Sequence, residues 1–182
     1  MKDPFGREIT YLRISVTDKC NLRCIYCMPP EGVPQREHAD FLSFETITEV
    51  VREGVSLGIT KVRLTGGEPL VKRGIVDLVA MIRSVDGLNH LAMTTNGILL
   101  GDLAGELEKA GLDSVNISLD TLDPQRYRYI TRAGDIQHVL RGIEAAREVG
   151  IPVKINTVIM DDTETKELEP MKQFCRDNGL KL

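Results

Sequence analysis

Three of the four cysteines in this chain, Cys20, Cys24 and Cys27, fall within eight positions as C-x3-C-x2-C, directly after a strand-like run over residues 11–17. That spacing delivers three thiolates to one small object and leaves the object one ligand short. A 4Fe-4S cube is ordinarily held by four cysteines, so a missing fourth thiolate would leave one iron free to bind a small molecule. A zinc ion could instead take three sulfurs and a fourth ligand from His38 or Cys175, in a closed structural site. The triplet by itself admits both. A second cluster of suspects is Gly66-Gly67-Glu68-Pro69, after the next strand-like run. There the absent side chains would let a ligand touch backbone, although an ordinary strand-to-helix turn uses glycine in the same way. Thr94-Thr95-Asn96-Gly97 and Asn116-Ile117-Ser118-Leu119-Asp120 close two later strands with hydrogen-bonding groups, as ligand contacts or as turn caps.

The elements that must position these residues are a repeated strand-helix unit. Five times a helical pattern stops at glycine followed by an aliphatic residue: Gly58-Ile59, Gly87-Leu88, Gly111-Leu112, Gly150-Ile151 and Gly179-Leu180. Glycine takes the left-handed position after the last turn and the aliphatic residue packs back on it. Strand-like runs follow each stop, over 61–65, 90–95, 114–119 and 153–159, with a sixth strand only begun near Lys181. Ser43 precedes a helix over 44–57, Asp123-Pro124 starts a short helical insert, and a last helix covers 168–178. Alternating strands and helices imply a parallel sheet with right-handed crossovers.

Every strand has one apolar and one polar face. Leu12, Ile14 and Val16 oppose Arg13, Ser15 and Thr17; Val62 and Leu64 oppose Lys61, Arg63 and Thr65; Val153, Ile155 and Ile159 oppose Lys154 and Asn156. A parallel sheet covered on both faces would be apolar at nearly every position. Burying an unpaired ion costs several kcal/mol even after relaxation, so Arg13, Arg63 and Lys154 are expected around a wet, ligand-holding cavity. The fold class read here is α/β, a partial (β/α) barrel cut off near the start of strand six, with ligands at the C-terminal ends of the strands.

At 182 residues and 42% hydrophobic content the chain supports one core, and residues 1–182 are read as one domain. A net charge of -4, no Trp and 4% aromatic residues give no basis for nucleic-acid binding. The N-terminal residues carry no signal-peptide pattern and no apolar run reaches the roughly 18 residues that span a bilayer. Four cysteines without a secretion signal suit a reducing compartment. A soluble, cytoplasmic protein without membrane contact is therefore expected. His38, His90 and His138 show no ligand spacing, and Met28, Met93 and Met160 read as packing residues.

With Tyr26 just before Cys27, the triplet resembles the signature of the radical S-adenosylmethionine (SAM) superfamily, and Gly66-Gly67-Glu68 resembles its GGE motif. Longer stretches, among them 12–18, 62–70, 94–97, 116–120 and 153–158, are similar to the GTP 3′,8-cyclase family that opens molybdenum-cofactor biosynthesis. The resemblance implies that Cys20, Cys24 and Cys27 hold a 4Fe-4S cluster, that Tyr26, Gly67 and Ser118 contact SAM with Glu68 assisting at its amino group, and that Arg13, Arg63, Thr94 and Lys154 face GTP. It implies a reducing electron donor as partner. In that family the chain runs past the position of Leu182 to a second cluster that binds guanine, so this sequence reads as an N-terminal portion. Strand five would then be an open edge, prone to aggregate or covered by another chain in a homodimer. A radical SAM enzyme acting on a peptide or another purine, and a non-enzymatic zinc or scaffold module, are the alternative readings.

Overall fold

A computed structural model describes residues 2–34, 40–160 and 167–182. Among these residues five parallel strands form one sheet in sequential order: β1 (Tyr11–Ser15), β2 (Lys61–Thr65), β3 (His90–Thr95), β4 (Ser114–Ser118) and β5 (Val153–Asn156). Between them run α1 (Phe44–Ser56), α2 (Ile75–Arg83), α3 (Leu100–Lys109), the pair α4 (Pro124–Thr131) and α5 (Ile136–Glu148), and after β5 comes α6 (Leu168–Asp177). Ser43 caps α1 by accepting the Thr46 N–H, and Asp123 caps α4 by accepting that of Arg126. The five glycines expected to stop helices all have φ between 65° and 100°.

The alternation of faces holds. Val62, Leu64, Leu91, Met93, Val115, Ile117 and Ile155 are buried in the core formed with the helices, whereas Arg13, Lys61 and Lys154 on the opposite face are exposed. The sheet is not closed into a barrel. Lys181 makes a parallel bridge to Lys154, the start of a sixth strand where one was expected.

Three strands are shorter than their sequence pattern. β1 stops at Ser15 rather than 17, β4 at Ser118 rather than 119, and β5 at Asn156 rather than 159. At β5 the cause is a competing partner: Thr157 donates its hydroxyl to the Leu119 carbonyl, and the Val158 N–H goes to Asp120 at 2.9 Å. The chain is thereby drawn off the ladder, and Ile159, expected on the apolar face, is 53% exposed. The helices expected over 44–57 and 168–178 end one residue early, with Leu57 and Asn178 as their caps.

Candidate active site

The cysteine loop follows β1 and is tied to the C-terminal ends of β2, β3 and β4. Gly67 and Glu68 donate their N–H groups to the carbonyls of Thr17 and Lys19, both at 2.8 Å, which fastens the start of the loop to the end of β2. Asn96, just past β3, donates its side-chain amide to Asn21 at 2.7 Å. Tyr26 donates its hydroxyl to Asp120 at 2.6 Å, beyond β4. On the outer side, the Arg23 and Ile25 N–H groups donate to the Thr131 and Ile130 carbonyls of α4 at 3.0 and 2.9 Å. Helix C-termini leave carbonyls without intrahelical partners, and here the loop supplies the missing donors.

The two glycines turn out to have a structural reason. A Cβ on Gly67 would lie 2.4 Å from the Lys19 carbonyl oxygen, and one on Gly66 would lie 2.5 Å from that of Thr17. Backbone meets backbone there, a close approach within the chain itself, beside the ligand contact and the ordinary turn that the sequence left open. Gly67 is nonetheless exposed on its other side. Glu68 is 1% exposed and accepts three hydrogen bonds, from the Leu70 N–H, the Thr95 hydroxyl and the Asn96 N–H, at 2.6 to 2.9 Å. Its carboxylate therefore joins the ends of β2 and β3. Burial pushes its pKa up, against the lowering effect of those same bonds.

Cys20 and Cys24 are half-buried and Cys27 is exposed. The Leu22 N–H donates to the Cys20 sulfur at 3.4 Å. Burial pushes the Cys24 thiol up to about 11, helped by Asp120 and by the charges of Cys20 and Cys27. Burial and the bond to Asp120 likewise raise Tyr26. Of the two candidate fourth ligands for zinc, His38 lies outside the described residues. Cys175 is 3% exposed within the core, and burial alone raises its pKa.

On the polar face Arg13 and Arg63 are register partners. Arg63 donates Nη1 to the Thr94 hydroxyl at 3.2 Å and Nε to the Tyr11 hydroxyl. Lys154 is paired with Asn116, which is itself level with Thr94, so it occupies the same face two strands away and does not touch the arginines. No ion pair joins Arg13, Arg63 or Lys154 to a carboxylate among the described residues. Ser118 ends β4 half-buried, beside Asn156. Lys61, two residues before Arg63, points the same way and is exposed, which strand parity alone makes legible. The ties through Asn21, Arg23 and Arg132 carry no sequence signal, because each spans 75 residues or more.

The sequence matches the radical SAM superfamily over residues 14–175. The chain belongs to that superfamily. It is 53% identical over 179 residues to a GTP 3′,8-cyclase of Peptoclostridium acidaminophilum, covering 98% of this chain and 55% of that protein. A GTP 3′,8-cyclase of Geobacter sulfurreducens is 54% identical over 176 residues, 96% of this chain and 54% of its own length. The chain spans about half the length of the curated relatives it matches. In fold it is similar to Streptococcus suis SuiB bound to its precursor peptide SuiA, with a TM-score of 0.79 at 21% identity, covering 94% of this chain and 37% of that one. It is also similar to anSMEcpe with bound AdoMet, with a TM-score of 0.74 at 19% identity over 93% and 48% of the two chains.

With the family come its cofactors, a 4Fe-4S cluster and SAM, and the donor set suits the former. Three thiols share one loop that hydrogen bonds fasten to the ends of β2, β3 and β4 and to α4. Cys20 and Cys24, half-buried, and Cys27, exposed, offer three sulfur ligands at the ends of the strands, which suits a cube with one open corner.

Proposed function

We propose that this chain forms the SAM-cleaving and triphosphate-binding part of a GTP 3′,8-cyclase, yielding 3′,8-cyclo-7,8-dihydro-GTP for molybdenum-cofactor biosynthesis. The observation that carries the reading is the cationic polar face leading to the cysteine loop, in a chain that matches such cyclases along almost its whole length. Cys20, Cys24 and Cys27 hold the cluster. When bound and reduced, the cluster would supply the one electron that cleaves SAM, and the chemistry so provided would abstract the 3′ hydrogen of GTP before the sugar closes on C8.

The chain's own residues bind and orient. Gly67 offers exposed backbone beside the loop and Ser118 a hydroxyl at the end of β4, both toward SAM. Tyr26, steadied by Asp120, presents its ring to the adenine. Arg13, Arg63 and Lys154 receive the triphosphate through charge-assisted hydrogen bonds, and Thr94, already bonded to Arg63, fixes that guanidinium from the next strand. Three inter-strand spacings of about 4.8 Å separate β2 from β5, which suits a ligand as long as a nucleotide. The reader of the guanine base lies in the part of the relatives that this chain does not span. The reading requires an external one-electron donor and places the protein in the cytoplasm, where its thiols stay reduced.

The test is anaerobic calorimetry with GTP. Losing one charge-assisted contact costs roughly 1.5–3 kcal/mol, so Arg63→Ala and Lys154→Ala should each weaken binding about tenfold or more, and salt should weaken it further. Equal affinity of the wild type and of the Arg13, Arg63 and Lys154 variants would overturn the nucleotide reading.

A further inference from the structure

Among the described residues, Arg132 is the one other than glycine held at positive φ, 61°, immediately after α4. A left-handed conformation is unfavourable for a residue with a Cβ and persists only where the surroundings enforce it. Its guanidinium Nη1 donates to the Arg23 carbonyl at 2.9 Å and to the Met28 carbonyl at 3.0 Å. Those two carbonyls stand immediately outside the segment from Cys24 to Cys27. The Cys27 and Met28 N–H groups both turn back on the Cys24 carbonyl, at 2.9 and 3.1 Å. The segment is therefore a closed turn with its two ends held by one nitrogen.

The surroundings show how the guanidinium is aimed. The Thr131 and Ile130 carbonyls are held by loop N–H groups, and the Thr131 hydroxyl, while donating to the Tyr127 carbonyl, accepts the Gly134 N–H at 3.0 Å. A Cβ on Gly134 would lie 2.6 Å from the Tyr127 ring and 3.1 Å from Leu22, so the chain leaving Arg132 must pass tightly under the loop. A helix end docked on the loop, followed by a glycine pressed against Leu22, leaves Arg132 at the corner with its side chain directed back across the turn. Arg23 works from within: its Nη1 donates to the Cys20 and Leu22 carbonyls at 2.7 and 2.8 Å. Together the two guanidiniums engage four loop carbonyls and bring two positive charges to the loop that carries the thiolates.

We propose that Arg132 is a positioning residue for the metal-binding loop, pinning the backbone on either side of Cys24 and Cys27 so that the two sulfurs keep the separation that a cluster requires. This rests on the proposed cluster site. The left-handed backbone is the cost of aiming the guanidinium, so removing the side chain should loosen the loop without unfolding the molecule.

The experiment uses the whole 182-residue chain and the variants Arg132→Gly, which suits positive φ, and Arg132→Lys, which keeps the charge. Hydrogen exchange of the metal-free proteins reads the clamp directly. In Arg132→Gly, amides within residues 22–28 should exchange at least tenfold faster, while those of β2, β3 and β4 keep wild-type rates and the melting temperature changes by no more than a few degrees. After anaerobic reconstitution with iron and sulfide, the same variant should lose its chromophore to a chelator at least tenfold faster than the wild type, with Arg132→Lys in between. Loop exchange at the wild-type rate in Arg132→Gly overturns the proposal. Exchange that quickens equally throughout the sheet also overturns it, since Arg132 would then support the fold at large. A wild-type chain that takes up no iron refutes the cluster reading instead, and loop exchange still decides whether the clamp exists.

Discussion

Gly67→Ala should destabilise the metal-free protein, although the site reading gives Gly67 to a ligand. The added Cβ would stand 2.4 Å from the Lys19 carbonyl oxygen and 2.7 Å from that of Asp18, both backbone atoms. Ordinary contact lies at about 3.5 Å, so the loop must retreat by about 1 Å. The N–H bonds from Gly67 to Thr17 and from Glu68 to Lys19, now 2.8 Å each, would stretch beyond hydrogen-bonding range. Two such bonds contribute about 1–3 kcal/mol in total. For a chain of this size each kcal/mol moves the melting point by about 2–4 °C, so a fall of about 2–12 °C is expected from circular dichroism of the metal-free protein. Gly105→Ala is the control. Gly105 sits inside α3 with nothing within 4 Å of an added Cβ, and replacing a helical glycine should add about 0.5–1 kcal/mol. A Gly67→Ala protein that melts with the wild type and takes up iron normally would refute the close docking of the loop on β2. Normal melting with lost SAM binding would return Gly67 to a purely ligand-facing role.

Glu68→Gln should cost about 1–3 kcal/mol, because an amide cannot accept all three of the donors around it. Since burial raises the Glu68 pKa in the folded chain, its contribution is fully present below its ordinary value of 4.5 and is lost as pH rises through the raised value; urea midpoints across that range should show a dependence that Glu68→Gln lacks. Cys24→Ala should abolish iron uptake after anaerobic reconstitution, whereas Cys175→Ala should take up iron normally while losing about 1 kcal/mol of stability from the core. Tyr26→Phe removes the donor to Asp120; with Tyr26 45% exposed the loss should be about 1 kcal/mol in metal-free stability, and a larger drop would mean that the loop depends on this tie more than on those from β2 and α4.

Local chemistry, written in neighbouring residues, was legible in the sequence by itself. The three cysteines fall within eight positions, the glycine stops mark helix ends within a turn, and the period-two pattern of β1, β2 and β5 puts Arg13, Arg63 and Lys154 on one face of a sheet. Such features need no knowledge of what lies across the fold, because helix caps depend on the next few residues and strand parity on backbone geometry alone. Tertiary structure decided what those features are for. Gly66 and Gly67 are glycines because the chain at residues 17–19 passes against them, and Glu68 is an acid because Thr95 and Asn96 surround it. β5 ends early because Asp120, 38 residues before Val158, captures the Val158 N–H two residues past its end. Arg132 has no local signal at all, since the carbonyls it holds are 104 and 109 residues away. A hydrogen bond is specified by distance and direction in space, and residues that distant in sequence become neighbours only when the parallel sheet brings the ends of its strands to one edge.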